Sequence, residues 1–102
     1  MIFIYTTCKD VEQAKELGRK IIKARVAACV SVLPVETMYF WKDEFKEDQE
    51  ALLIIKTNEP KMAEIESFLV KNHTYTTPLV ASFESKRLNR EYKEWMTTVL
   101  VS

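Results

Sequence analysis

Between Ala27 and Thr57 the sequence writes a β-hairpin too long for the domain that carries it. One arm runs from Ala27 through Cys29-Val30-Ser31-Val32-Leu33 to Met38-Tyr39-Phe40-Trp41, and the return arm is Ala51-Leu52-Leu53-Ile54-Ile55-Lys56-Thr57. A strand rises about 3.3 Å per residue, so an arm from Ala27 to Trp41 spans roughly 45–50 Å. A compact domain of this length has a radius of gyration of only about 13 Å. The tip, with Tyr39, Phe40 and Trp41, therefore projects beyond any core that one chain builds, and a monomer leaves those rings wet. Docking of each hairpin on a neighbouring subunit resolves this, which makes self-association the first expectation. Proline cannot donate to a strand ladder, so Pro34 is expected to mark a bend or bulge in the arm.

A chain of 102 residues supports one domain, residues 1–102, with a single core. Lys+Arg and Asp+Glu balance at 15 each, which leaves no basic field for nucleic acid or anionic lipid. No apolar run reaches the roughly 18 residues of a membrane helix, and Met1-Ile2-Phe3-Ile4 reads as a strand start rather than a signal peptide. Two cysteines are too few for a disulfide framework, so a reducing, cytoplasmic setting is expected. The single glycine, Gly18, excludes Gly-rich phosphate loops.

Ile2-Phe3-Ile4-Tyr5 is a short β-favouring run ending near Thr6-Thr7. Asp10 and Gln13 form a capping-box pattern, after which Val11, Ala14, Leu17, Ile21 and Ile22 recur at helical spacing. Past the hairpin, whose turn falls within Lys42-Asp43-Glu44, Asn58-Glu59-Pro60 opens a second helix with Met62, Ile65, Phe68 and Leu69 inward. His73 to Thr77 is a loop, Leu79 to Ser85 a fourth strand, and about Asn89 to Leu100 a last helix packing Tyr92, Trp95, Met96 and Val99 on the core. The order β-α-β-β-α-β plus a C-terminal helix is the α+β, ferredoxin-like plan with a long protruding hairpin between its second and third strands. In it the first and fourth strands pair antiparallel, so Thr6-Thr7-Cys8 and Asn72-His73-Thr74-Tyr75 lie side by side.

Against this frame, Ala27-Ala28-Cys29-Val30, Tyr39-Phe40-Trp41, Leu53-Ile54-Ile55-Lys56-Thr57, the His73, Tyr75 and Pro78 loop, and Tyr92 with Trp95 together resemble the CutA family of divalent-ion-tolerance proteins, over essentially the whole chain. The resemblance implies a homotrimer related to PII signalling proteins, with Tyr39, Phe40 and Trp41 at the trimer interface and a link to tolerance of copper and other divalent cations. Some members are thought to hold copper through a cysteine ending the first strand and a His-His pair before the tyrosine. Here those positions are Thr6, Asn72 and His73. Thr74 replaces a proline of the family pattern, Thr76 stands where many members are acidic, and Asp43 replaces the glycine of the hairpin turn.

The residues themselves suggest two candidate sites. Cys8 lies just before a helix, where the N-terminal dipole favours an exposed thiolate, and with His73 opposite it forms a two-ligand soft-metal site. The competing reading makes His73 a loop residue satisfying backbone groups. Trp41, Lys56 and Tyr75 form the second candidate, a cleft between subunits that would suit a PII-like signalling trimer holding a small anion or metabolite. Glu47, Asp48 and Glu50 read as the polar outer face of the hairpin. Catalysis is not expected: a Cys8–His73 nucleophile pair lacks both an oxyanion loop and an orienting acid.

Overall fold

The computed structural model describes residues 1–100. Strand β1 (Ile2–Cys8) leads to helix α1 (Val11–Lys23), then β2 (Cys29–Trp41), β3 (Glu44–Thr57), α2 (Glu59–Asn72), β4 (Ala81–Glu84) and α3 (Arg90–Val99). The four strands form one sheet in the order β2-β3-β1-β4, with every pairing antiparallel. This is the expected ferredoxin-like plan, with the first and third strands central. The fourth strand is shorter than the alternation of Leu79 to Ser85 suggested.

Alternation decides which side chains are buried. On β1 and on the Ala51–Thr57 half of β3, every second residue is buried, which puts Ile4, Thr6, Cys8, Leu53, Ile55 and Thr57 on the face under the helices. Leu17 and Ile21 of α1 and Ile65 and Leu69 of α2 close this core from above. Gly18 is where α1 meets the sheet most closely: a Cβ there would lie 3.0 Å from Val30 Cγ2 and 3.5 Å from Leu53 Cδ1. The Asp10 carboxylate caps α1 by accepting from the Gln13 N–H at 2.8 Å, while Gln13 Oε1 accepts from the Lys9 N–H instead of closing a full capping box.

The hairpin divides into two parts. Strand β1 covers β3 only from Ala51 to Thr57, so Glu44–Glu50 pairs with Val35–Trp41 alone, as a two-stranded ribbon running out from the core. The molecule measures 47 × 26 × 20 Å with a Cα radius of gyration of 14.6 Å, longer than a compact chain of this size. At the tip Trp41 pairs with Glu44 around Lys42 and Asp43, whose φ angles of 52° and 63° are left-handed. That is the two-residue turn whose twist matches the strands, made here without glycine.

Two expectations are corrected. Pro34 introduces no bulge, because pairing continues one-to-one from Cys29–Lys56 through Pro34–Ala51 to Trp41–Glu44. Strand β2 is outermost, where alternate N–H groups face away from the neighbour, so a proline there removes no ladder bond. In α3 only Met96 is buried, and it lies outside the main cluster, while Trp95 is exposed. Tyr92 and Trp95 pack on each other, with ring centroids 5.3 Å apart, rather than in the core.

Candidate functional site

The end of β1 and the loop after α2 meet as the topology required. His73, the residue that caps the C-terminus of α2, turns its ring toward β1. Its Nδ1 accepts from the Tyr75 N–H at 3.1 Å, which places the ring proton on Nε2. Nε2–H then donates to the Thr7 carbonyl at 2.9 Å, with Thr6 Oγ1 at 3.1 Å. Burial lowers the His73 pKa, opposed by the Thr7 bond and the Glu50 charge. A second tie comes from Gln13, whose Nε2 donates to Thr74 Oγ1 at 2.8 Å and so pins the loop to α1.

Cys8 is not the exposed thiolate expected. It is the last residue of β1, paired with Ala51 and fully buried in the core. Burial, followed by the charges of Asp10 and Glu50, pushes its thiol from 9.0 up to about 11. At neutral pH the thiolate fraction is therefore on the order of one in ten thousand. Under native conditions at pH 7.5 iodoacetamide should leave Cys8 unmodified, and mass mapping of the alkylated peptides checks this.

These shifts also set how stability responds to pH. His73 has a folded pKa below its unfolded value of 6.5, so the unfolded chain takes up its proton first and stability falls as pH drops below about 6.5. Cys8 has a folded pKa above its unfolded value, so stability also falls as pH rises from about 9 to about 11. Denaturant titrations should show a plateau between these limits, and Cys8→Ala should flatten the alkaline side. An alkaline slope unchanged in that variant would contradict the assignment.

A cavity of about 610 Å³ lies between the hairpin and the loop, lined by Thr37, Tyr39 and Trp41 of β2, Asp48 and Glu50 of β3, Thr7, and residues 74–77 and 79. The strand register explains the lining: Thr37, Tyr39, Trp41, Asp48 and Glu50 all project from the sheet face opposite the helices. The Tyr39 hydroxyl donates to Asp48 Oδ2 at 2.6 Å, and the Tyr75 hydroxyl donates to Glu50. Both phenols are held above their ordinary pKa, Tyr39 first by its bond to Asp48 and Tyr75 first by burial. Trp41 and Tyr75 thus share one cavity within a protomer. Lys56 lies six residues beyond Glu50 on β3, about 20 Å along the strand. Asp48 and Glu50, read from the sequence as part of the polar outer face of the hairpin, are the cavity's anionic wall. Period-two alternation was the available signal for Asp48, whereas the Tyr75–Glu50 bond spans a loop that no pattern in the sequence positions.

The fold and cavity define a small α+β domain with a ligand-sized recess beside a projecting hairpin. Residues 2–99 match the family model described as CutA1 divalent ion tolerance protein, and the chain belongs to that family. It is 34% identical over 99 residues to the divalent-cation tolerance protein CutA of Thermococcus kodakarensis, covering 97% of this chain and 95% of that one. It is 35% identical over 96 residues to CutA of Thermotoga maritima, covering 94% and 95%. Among solved structures, CutA1 from Pyrococcus horikoshii superposes with a TM-score of 0.94 at 27% identity over the whole of both chains. CutA1 from Oryza sativa gives 0.91 at 35% identity, covering 98% of this chain and 93% of that one.

Proposed function

We propose that this protein serves divalent-cation tolerance in the cytoplasm as a homotrimer, with the cavity beside the hairpin as its working site and no catalytic role. The observation that carries the reading is the outer hairpin. A two-stranded ribbon is marginal in water on its own. This one also exposes Met38, Phe40, Trp41 and Phe45, at 64%, 73%, 56% and 56% of their surface. The sheet face opposite the helices adds Leu33 and Phe83, both about half exposed, with Phe83 stacked on Phe3 at 5.0 Å. Apolar surface on this scale suits an obligate interface, which commonly buries about 2,000 Å² or more.

Copper, on this reading, meets the Cys8–His73 pair only weakly. Cys8 must surrender a proton held to about 11, His73 must give up its bond to the Tyr75 N–H, and Thr6 and Asn72 bring no soft donor. Anaerobic titration with copper(I) against a competing chelator should give a dissociation constant weaker than about 1 μM, tightening as pH rises. Stoichiometric, pH-independent binding that is lost in His73→Ala would contradict this.

A further inference from the structure

Two regions of the sheet face opposite the helices each lack what the other carries. At the hairpin end, Asp48 and Glu50 stand two residues apart on β3 among the rings of Tyr39, Trp41 and Tyr75. Neither carboxylate lies within salt-bridge distance of a cation among the described residues, and no lysine or arginine lines the recess. The nearest base along the strand, Lys46, turns to Glu44 at 3.5 Å. Each carboxylate accepts one phenol proton and keeps lone pairs for another donor. Tyr39 and Trp41 belong to the surface that self-association covers, so the group completing this recess is to be sought on a second copy of the chain.

The far end of the same face carries such a group. Lys56 follows Asp48 and Glu50 at even spacing along β3 and so projects from the same side. It pairs across the sheet with Cys29 and Phe3, is half-buried, and makes no salt bridge among the described residues. The Cys29 thiol lies against the Tyr92 hydroxyl, which brings α3 to this end of the sheet. Trp95 packs beside Tyr92 and is 43% exposed, because α3 buries only Met96. This corner thus offers one cation and two rings to a recess of two anions and three rings.

Within one chain the two regions cannot meet. Lys56 is about 20 Å along β3 from Glu50, and Trp41 is about 40 Å along β2 from Cys29. A two-fold pairing through the recess alone would set carboxylates against carboxylates. Complementary regions at opposite ends of one face instead make a head-to-tail contact, the kind that closes into a ring.

We propose that the working site is built between two copies of the chain: the partner subunit's Lys56 enters the recess as counter-charge to Asp48 and Glu50, and the partner's Tyr92 and the partner's Trp95 pack on its rings. The assignment rests on the self-association reading and deepens it, since it names the surface on which each hairpin docks.

Charge reversal tests the pairing. In sedimentation across a dilution series, Lys56→Glu and Asp48→Lys should each lower the association constant about tenfold or more, and the two combined in one chain should recover most of that loss. Trp95→Ala should weaken association likewise and leave the circular dichroism unchanged. p-Benzoylphenylalanine placed at position 41 and irradiated should give a cross-linked dimer on denaturing gels, whose digest joins the hairpin to α3 of another chain. That readout requires neither charge variant to fold. Association unchanged in both single reversals, a folded double reversal no better than the singles, or cross-links that map only elsewhere would overturn the proposal. A trimer with cross-links elsewhere defeats this docking surface alone, whereas a monomer defeats self-association with it.

Discussion

Trp41→Ala should weaken self-association by about 2–4 kcal/mol per interface, as for other buried aromatic anchors, which lowers the association constant roughly 30- to 1,000-fold. The cost falls on assembly because the Trp41 ring is more than half exposed in the single chain and supports nothing in its core. Phe40, still more exposed and 5.7 Å from Phe45 between ring centroids, should behave alike when truncated. Sedimentation across a concentration series reads the effect directly. The circular dichroism of dissociated Trp41→Ala protomers should remain that of the folded chain. An association constant within a factor of three of wild type would show that the tip is not the interface.

Leu53→Ala should be the most damaging single truncation within a protomer. Leu53 is fully buried at the centre of the sheet, between β1 and β2 and beneath α1 at Gly18. Losing its side chain removes transfer free energy and leaves a cavity that close-packed neighbours fill only partly, at a cost of about 2–5 kcal/mol. For a domain of this size each kcal/mol moves the melting temperature by about 4–8 °C. The shift must be read at fixed protein concentration, since assembly itself stabilises the fold. Val70→Ala, on the exposed face of α2, should stay within about 0.5 kcal/mol. Comparable losses at the two positions would contradict the core described here.

What could be read from the sequence follows the reach of each signal. Unbroken apolar, β-favouring runs at Ile2–Tyr5 and Ala51–Ile55, and helical spacing from Val11 to Ile22, are local and forced by burial, so strands, helices and their order were legible. The meeting of Thr6-Thr7 with His73 followed from topology alone and is present as hydrogen bonds. Pro34 misled because a proline reports a missing donor but not whether that donor would have faced a neighbour. Cys8 misled because β1 runs longer than its apolar residues, and one further pair with Ala51 turns the thiol from helix entrance into core. Trp95 misled because helical periodicity marks a face without saying what lies against it. The Tyr75–Glu50 contact depends on a loop path, which no periodicity encodes.

The projecting ribbon and its exposed rings make one quantity decisive: the mass of the wild-type protein in solution. Sedimentation equilibrium at micromolar concentration should return a single species three times the mass of the 12.0 kDa chain, unchanged on tenfold dilution. A monomer under those conditions, with the hairpin folded and its aromatic tip in water, would contradict the account.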